Sequence, residues 1–496
     1  MKYVILCVIA CVFIVSCETK SDSVNLKDVV NNFIQEEQTP VYGSIDLFGI
    51  IQKAGVTELP VFGELIEEQL ESIGASIHID QKLYFAMDGA LNDEGTPQNL
   101  FAFAAVKNRD SLIDLFSRMG YFFEEENGVY YSFDMNSAIG FTESVLSMVT
   151  TDFDKDSEEE IRKVMSKMKS TGKEKSTEDL FQNQGDLFIV SNLGAVDFIP
   201  SIDQGIVDAD EIEQIKSMLE ELRSITNLSF LDGKLSFTNE FEFGDAMEEF
   251  MILSEVDQQK VLDKIELSNP MFAFSMALDI PKLEKLLKKY NPDALKELYA
   301  SLGTAGLILR GLGGEGIESI FDGSIVASLD NIQSKLDLTE LPAFSLHAGV
   351  GKAGEVLLDV LLDLADVGEI QKDNKGNYVF EDILLKMRSN ELHLMSASKS
   401  GVENGKTQLL NRFPDFGSTP VSFFFDIEKL MRTNPQLVDQ DLRPVVSIMD
   451  YFTFQMSKDK ASMDLYLLNK NENILKQLVD ALQEQLQGLA EEGLMI

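Results

Sequence analysis

Three groups of residues in this chain have types and spacings that could do chemistry. Gly311-Leu312-Gly313-Gly314-Glu315-Gly316 fits G-x-G-x-x-G, follows the apolar stretch Ala305 to Leu309, and has Asp330 where a ribose-binding acid would fall. The helix that should follow has room for only about two turns before Asp322-Gly323 breaks it, and a dinucleotide site needs a fuller crossover. Glu315 would also repel a pyrophosphate, so these glycines read as a turn and no cofactor is expected. Asp152, Asp154 and Asp156 stand at alternate positions, the opening of many calcium loops. The pattern then departs: Ser157 fills the slot where glycine is wanted, and Lys163 stands at the acidic closing position. Ser157-Glu158-Glu159-Glu160 reads better as a helix capping box after a solvated loop. Calcium held by Asp152, Asp154 and Asp156 is the alternative.

The third group is the histidines, of which there are only three, His78, His347 and His393. Each lies in an alternating apolar stretch, none has a second histidine nearby, and no H-E-x-x-H occurs. They read as structural or surface residues, and no metal ligand is assigned. A Ser-His-Asp site could still assemble in space, but no G-x-S-x-G elbow nominates a serine. Paired carboxylates for glycoside hydrolysis cannot be singled out among 83 acidic residues. With no tryptophan, a sugar-stacking platform would fall to Tyr130, Tyr131, Tyr378 and the phenylalanines, whose runs, such as Phe423-Phe424-Phe425, read as core. No catalytic residue is assigned.

The remaining reactive side chain is a cysteine. Lys2 and the apolar run Val4 to Cys17 (VILCVIACVFIVSC) form a secretory leader too short to serve as a comfortable membrane span. Its end, Ile14-Val15-Ser16-Cys17, resembles the lipobox of bacterial lipoproteins. The resemblance implies a signal peptide over 1–16, cleavage before Cys17, and a diacylglycerol on the Cys17 thiol. An ordinary signal peptide or an uncleaved anchor is the alternative. All three cysteines (Cys7, Cys11, Cys17) lie in this stretch, so a lipidated mature chain would have no disulfide partner, thiolate metal site or cysteine nucleophile.

The formal net charge of −41 disfavours nucleic acid and anionic lipid surfaces as partners. Attachment to the membrane would then rest on the acyl chains of Cys17. A chain of 496 residues with 44% hydrophobic residues should fold largely, and into more than one domain.

The elements that must position any site follow from the pattern. Residues 17–37 read as a short flexible tether followed by a little helix, with Glu18 and Asp22 close behind the cysteine. A unit then recurs: Thr39-Pro40-Val41 leads to Asp46, Thr419-Pro420-Val421 leads to Asp426, and, more loosely, Asn269-Pro270 leads to Asp279. Each is a strand, then an Asp placed to accept the orphan N–H groups of a helix, then helical apolar spacing. Pro281 suits an early helical position. A companion strand, Asn99 to Val106, precedes helical residues from Asp110.

Further strands are expected at Lys82–Met87, Val129–Phe133, Asp186–Val190, Leu235–Phe243, Ser324–Leu329, Phe344–Ala348, Glu391–Ala397 and Tyr451–Met456. Their alternation predicts an α+β fold with largely antiparallel sheets, helices packed on one side, and repeated strand-helix units in two halves. The halves are placed at 38–265, with an exposed loop near 166–179, and 266–496, closed by an amphipathic helix over Asn471 to Leu494.

The lipobox, the strand-Asp-helix units and the stretch Gly316 to Leu329 (GIESIFDGSIVASL) together resemble a Bacteroidota family of cell-envelope lipoproteins of about this length and undefined function. That resemblance implies a lipid-anchored envelope protein, on the outer membrane with its periplasmic or surface face open, and transfers no catalytic residue. The leading expectation is a non-enzymatic binding or scaffolding module with an envelope protein or glycan as partner. The rival is an envelope hydrolase acting on glycan or peptide through dispersed residues. A polar pocket joining a histidine to an acid would favour the hydrolase, and apolar-lined surfaces the binding module.

Overall fold

The computed structural model describes residues 25–59, 63–88, 98–151, 156–171, 179–182, 185–192, 219, 221–267, 269–291, 293, 297, 320–331, 342–351, 354, 371–372, 377–380, 383–388, 390–396 and 405–491. Cys17, Asp152, Asp154 and Gly311 to Gly316 lie outside them. The chain divides into two compact units, Met1–Gly244 with Asn471–Asp480, and Asp245–Lys470 with Ala481–Ile496. The division thus follows Gly244, where the sequence suggested Ile265.

In the first unit, helix α1 (Leu26–Glu37) begins at Asn25, whose side chain accepts from the Lys27 N–H. Leu26, Val29, Val30, Phe33 and Ile34 recur at helical spacing and are buried. The last part of the expected tether is therefore core. Each such side chain contributes roughly 1.5–3 kcal/mol by leaving water.

The sheet of this unit comprises β1 (Val41–Ile45), β2 (Leu83–Met87), β3 (Asn99–Ala105), β4 (Glu124–Glu126), β5 (Val129–Asp134), β6 (Ser137–Phe141), β7 (Val145–Thr151), β8 (Leu187–Asn192), β9 (Arg223–Leu231) and β10 (Lys234–Glu242). Its order is β10-β9-β8-β1-β2-β3-β7-β6-β5-β4, antiparallel throughout. Further helices are α2 (Leu47–Ala54), α3 (Gly63–Ile73), α4 (Arg109–Arg118) and α5 (Ser157–Thr171).

Helices cover both faces of this sheet, where one face was expected. On the first, α1 and α5 meet Phe101, Phe103, Ala138 and Val149, and Phe33 sits edge-on to Phe101 and Phe103 at 5.6 and 5.3 Å. On the second, Phe48 of α2, Ile73 of α3 and Leu112, Leu115 and Phe116 of α4 meet Leu83, Ala104, Ile139, Phe141 and Leu146. The physical reason is in the strands: β3 reads Leu100-Phe101-Ala102-Phe103-Ala104, apolar at every position, so neither face can be left to water. Helix α5 also absorbs 166–171, the start of the stretch read as an exposed loop. Its cap is Asp156, which accepts from Glu158 N at 2.9 Å, and not Ser157.

The second unit comprises β11 (Phe272–Ala277), β12 (Phe321–Leu329), β13 (Phe344–Val350), β14 (Gln371–Lys372), β15 (Tyr378–Phe380), β16 (Ile383–Arg388), β17 (Glu391–Ser396), β18 (Val421–Asp426), β19 (Met449–Met456) and β20 (Lys460–Leu467). Their order is β20-β19-β18-β11-β12-β13-β17-β16-β15-β14, again antiparallel. Helices α6 (Gln258–Asp263), α7 (Ile280–Tyr290), α8 (Gly405–Arg412) and α9 (Ile427–Thr433) belong to this unit. Val261, Leu262, Leu409, Phe413 and Phe416 pack on Ala273, Val326, Phe424 and Tyr451 to form its core. The α+β architecture with antiparallel sheets is as expected from the alternation.

The three expected aspartate caps are in place. Asp46 accepts from Gly49 N at 2.8 Å, Asp279 from Lys282 N at 3.0 Å, and Asp426 from Lys429 N at 2.8 Å. The strands ahead of them, β1, β11 and β18, belong to the adjacent pairs β1–β8 and β11–β18 from which the arms of each sheet depart. The closing helix, Ile474–Glu491, is also present. Among the described residues no helix is long and apolar enough to cross a membrane.

Candidate functional site

Two arrangements stand out, one in each unit. In the first unit, side chains on the second face of the sheet line a cavity of about 340 Å³, which includes Phe85 and Met87 of β2, Leu100 and Ala102 of β3, Met148 of β7 and Leu187 of β8. Strand alternation explains their exposure. Phe101, Phe103, Ala86 and Val149 point to the first face and are buried under α1 and α5. Their neighbours Phe85, Met87, Leu100, Ala102 and Met148 point the other way and are only partly covered.

Helices α2 to α4 cover Leu83, Ala104 and Leu146 at one end of the strands, and the cavity continues from there. Gly43 of β1 makes room for the Phe85 ring: a side chain there would meet that ring and the Phe188 carbonyl. Tyr84, next to Phe85 on β2, turns its ring to the first face against Phe181, where burial pushes its hydroxyl up to about 12. The lining carries no ionised group.

The cavity spans five adjacent strands, β8-β1-β2-β3-β7, which at strand spacing is a width of roughly 19 Å. Its volume lies within the ~300–1,000 Å³ common for small-ligand sites. Spread over that width it is a narrow slot, suited to an extended aliphatic chain more than to a bulky ring. Met87 and Met148 supply unbranched, polarizable walls that adjust to such a chain.

The second unit brings two of the three histidines together. β13 and β17 pair so that His347 lies opposite His393, and their rings stack at 3.9 Å with 14° between planes. On its other edge β17 pairs with β16 in a hairpin that turns at Asn390, whose φ of 68° is a backbone state that Asn tolerates in tight turns. Glu391, two residues before His393, shares its face; its Oε1 accepts from His347 Nδ1 at 2.8 Å and lies 3.3 Å from Lys264 Nζ. Glu266 reaches in from just past α6, 3.8 Å from His347 Nε2 and 3.6 Å from His393 Nε2. Ser345 Oγ lies 3.2 Å from that same His393 nitrogen.

His347 Nε2 is buried with no hydrogen-bond partner among the described residues. Burial holds the His347 imidazole below its ordinary pKa, against the pull of Glu391 and Glu266. Burial would push the Glu391 carboxyl up, but the His347 hydrogen bond and the Lys264 charge outweigh it and hold it down. Ser345 and Glu266 both meet Nε2 of His393, whereas a triad places acid and serine on opposite nitrogens, so Ser345, His393 and Glu266 do not together form a hydrolytic triad, and Ser345 is buried.

His78 lies in the first unit, where Nδ1 is 3.3 Å from an exposed Asp80, and takes no part. Asp156 spends its carboxylate on capping α5. Neither the cavity nor the His-Glu cluster was singled out by sequence. The doubly apolar β2 and β3 carried a signal for the first; the second depends on strand register, which spacing does not encode.

No protein-family model and no curated protein matches this chain. Among solved structures, crystal form I of TP0453 is 11% identical over 45% of this chain and 81% of its own, at a TM-score of 0.26. Crystal form IV of the same protein is 9% identical over 41% and 76%, at 0.25. At those scores the likeness supports no argument about fold or function.

Proposed function

We propose that this protein is a lipid-anchored module of the bacterial cell envelope, tethered through Cys17, that binds an extended aliphatic chain in the cavity of its first unit and has no catalytic role. The apolar slot bordered by Phe85, Met87, Leu100, Ala102 and Met148 carries this reading. Such a ligand is recognised by area removed from water, and a wall without ionised groups adds no desolvation cost. The lipobox-like Ile14-Val15-Ser16-Cys17 and the resemblance to envelope lipoproteins support the tether and the outer-membrane address. We also read the two units as copies of one design, supported by strand orders that correspond position by position from β1/β11 to β10/β20. The hydrolase alternative would rest on the cluster of His347, His393 and Glu266 in the second unit, where Ser345 and Glu266 share one nitrogen of His393 and do not form a serine triad.

The test is a titration of Cys17→Ser protein, which carries no lipid of its own, with palmitate and shorter fatty acids. Saturable binding that strengthens with chain length is expected, weakened about tenfold or more by Ala102→Leu, which fills the slot. Absence of saturable binding, or equal binding by the folded Ala102→Leu variant, contradicts the reading.

A further inference from the structure

We propose that Glu266, His347 and His393 form a binding site for a borderline divalent transition cation, zinc foremost, in the second unit. Each residue offers one donor atom, and the three atoms lie within 4.8 Å of one another. Tetrahedral zinc with ligands at about 2.0–2.1 Å holds its donors about 3.3 Å apart. The Glu266 contacts at 3.6 and 3.8 Å therefore close by only a few tenths of an ångström, with the stacked rings splaying until both lone pairs converge.

Two further features point to a cation. His347 Nε2 is a buried ring nitrogen without a hydrogen-bond partner among the described residues, on a side chain 8% exposed, and it faces Glu266. Its other nitrogen is held by Glu391, which fixes the tautomer with a free lone pair at Nε2; metal-bound histidines characteristically have such a carboxylate behind them. Glu266 is the partly exposed member and leaves an approach from solvent.

The donor set selects the ion. Two imidazoles and one carboxylate suit zinc and its neighbours, whereas calcium and magnesium prefer oxygen throughout. Lys264 offsets Glu391, so the charge of Glu266 is left to meet the cation. Three protein donors leave the fourth zinc position to water.

The experiment is zinc titration of chelator-treated, full-length protein in excess magnesium, which saturates weak sites among the 83 acidic residues. One zinc per chain is expected, with cobalt giving the visible spectrum of a tetrahedral site. Glu391→Gln, which does not touch the ion, should weaken binding about tenfold to hundredfold. His347→Gln with His393→Gln should abolish it. In case the buried histidine variants fail to fold, Glu266→Gln is followed by melting: zinc should raise the melting temperature of the parent protein and not of this variant. The proposal is overturned if zinc leaves the parent protein unchanged, if cobalt gives only its octahedral aqueous spectrum, or if Glu266→Gln binds and is stabilised as the parent is.

Discussion

Glu391 does two jobs at once: it accepts from His347 Nδ1 and neutralises Lys264. Glu391→Ala leaves a buried ring nitrogen without its partner and should cost about 1–3 kcal/mol, measured by denaturant unfolding. The sign of the pH response follows from His347, whose imidazole is held below its ordinary 6.5 by burial, with Lys264, Glu266, Glu391 and His393 facing it. In the unfolded chain it takes up a proton near that value, whereas the folded protein takes it up only at lower pH. Stability should therefore be intact above about pH 6.5 and fall as pH drops below it. The depressed Glu391 adds to the loss at lower pH. A melting series from pH 8 to 5 in the presence of chelator checks this, and His347→Gln should flatten the upper part of the curve. These residues look inert in the sequence because 44 positions separate His347 from Glu391, and still more separate it from His393 and Glu266; only strand pairing and folding bring them together.

At the scale of elements, the caps and most strands were legible because they are written locally. An Asp after a Phe-rich strand and before helical apolar spacing needs only short-range chemistry. Asp46→Ala and Asp279→Ala should each cost about 1 kcal/mol, the usual worth of an N-cap. Asp426→Ala should cost about 3–5 kcal/mol, because this buried carboxylate also binds Arg412, which spans to Asp450 and lies over the Tyr451 ring at 4.5 Å. Urea titrations of the three variants measure the ranking, and equal losses would contradict it. What was not legible is pairing. The sequence shows β1 and β8 as two separate apolar stretches, and only the folded sheet makes them neighbours. Helices on both faces escape the sequence for a related reason: a continuous apolar strand such as β3 requires cover on both sides but does not encode which helices supply it.

At the scale of the molecule, a net charge of −41 sets a self-repulsion that salt relieves. The melting temperature should rise as sodium chloride is added up to about 0.15 M, where the screening length falls to about 8 Å. The tether is tested separately: Cys17→Ser should abolish metabolic labelling by palmitate and release the protein from membranes. Membrane retention with a normally cleaved leader would contradict the anchor.

The central claim, an aliphatic chain in the first unit, is tested most directly by methyl NMR of methionine-labelled protein during palmitate addition. Met87 and Met148 line the slot, whereas Met463 sits on β20. The account predicts saturable shifts at Met87 and Met148 with Met463 unmoved. Shifts spread evenly over the methionines, or none at Met87 and Met148, would contradict it.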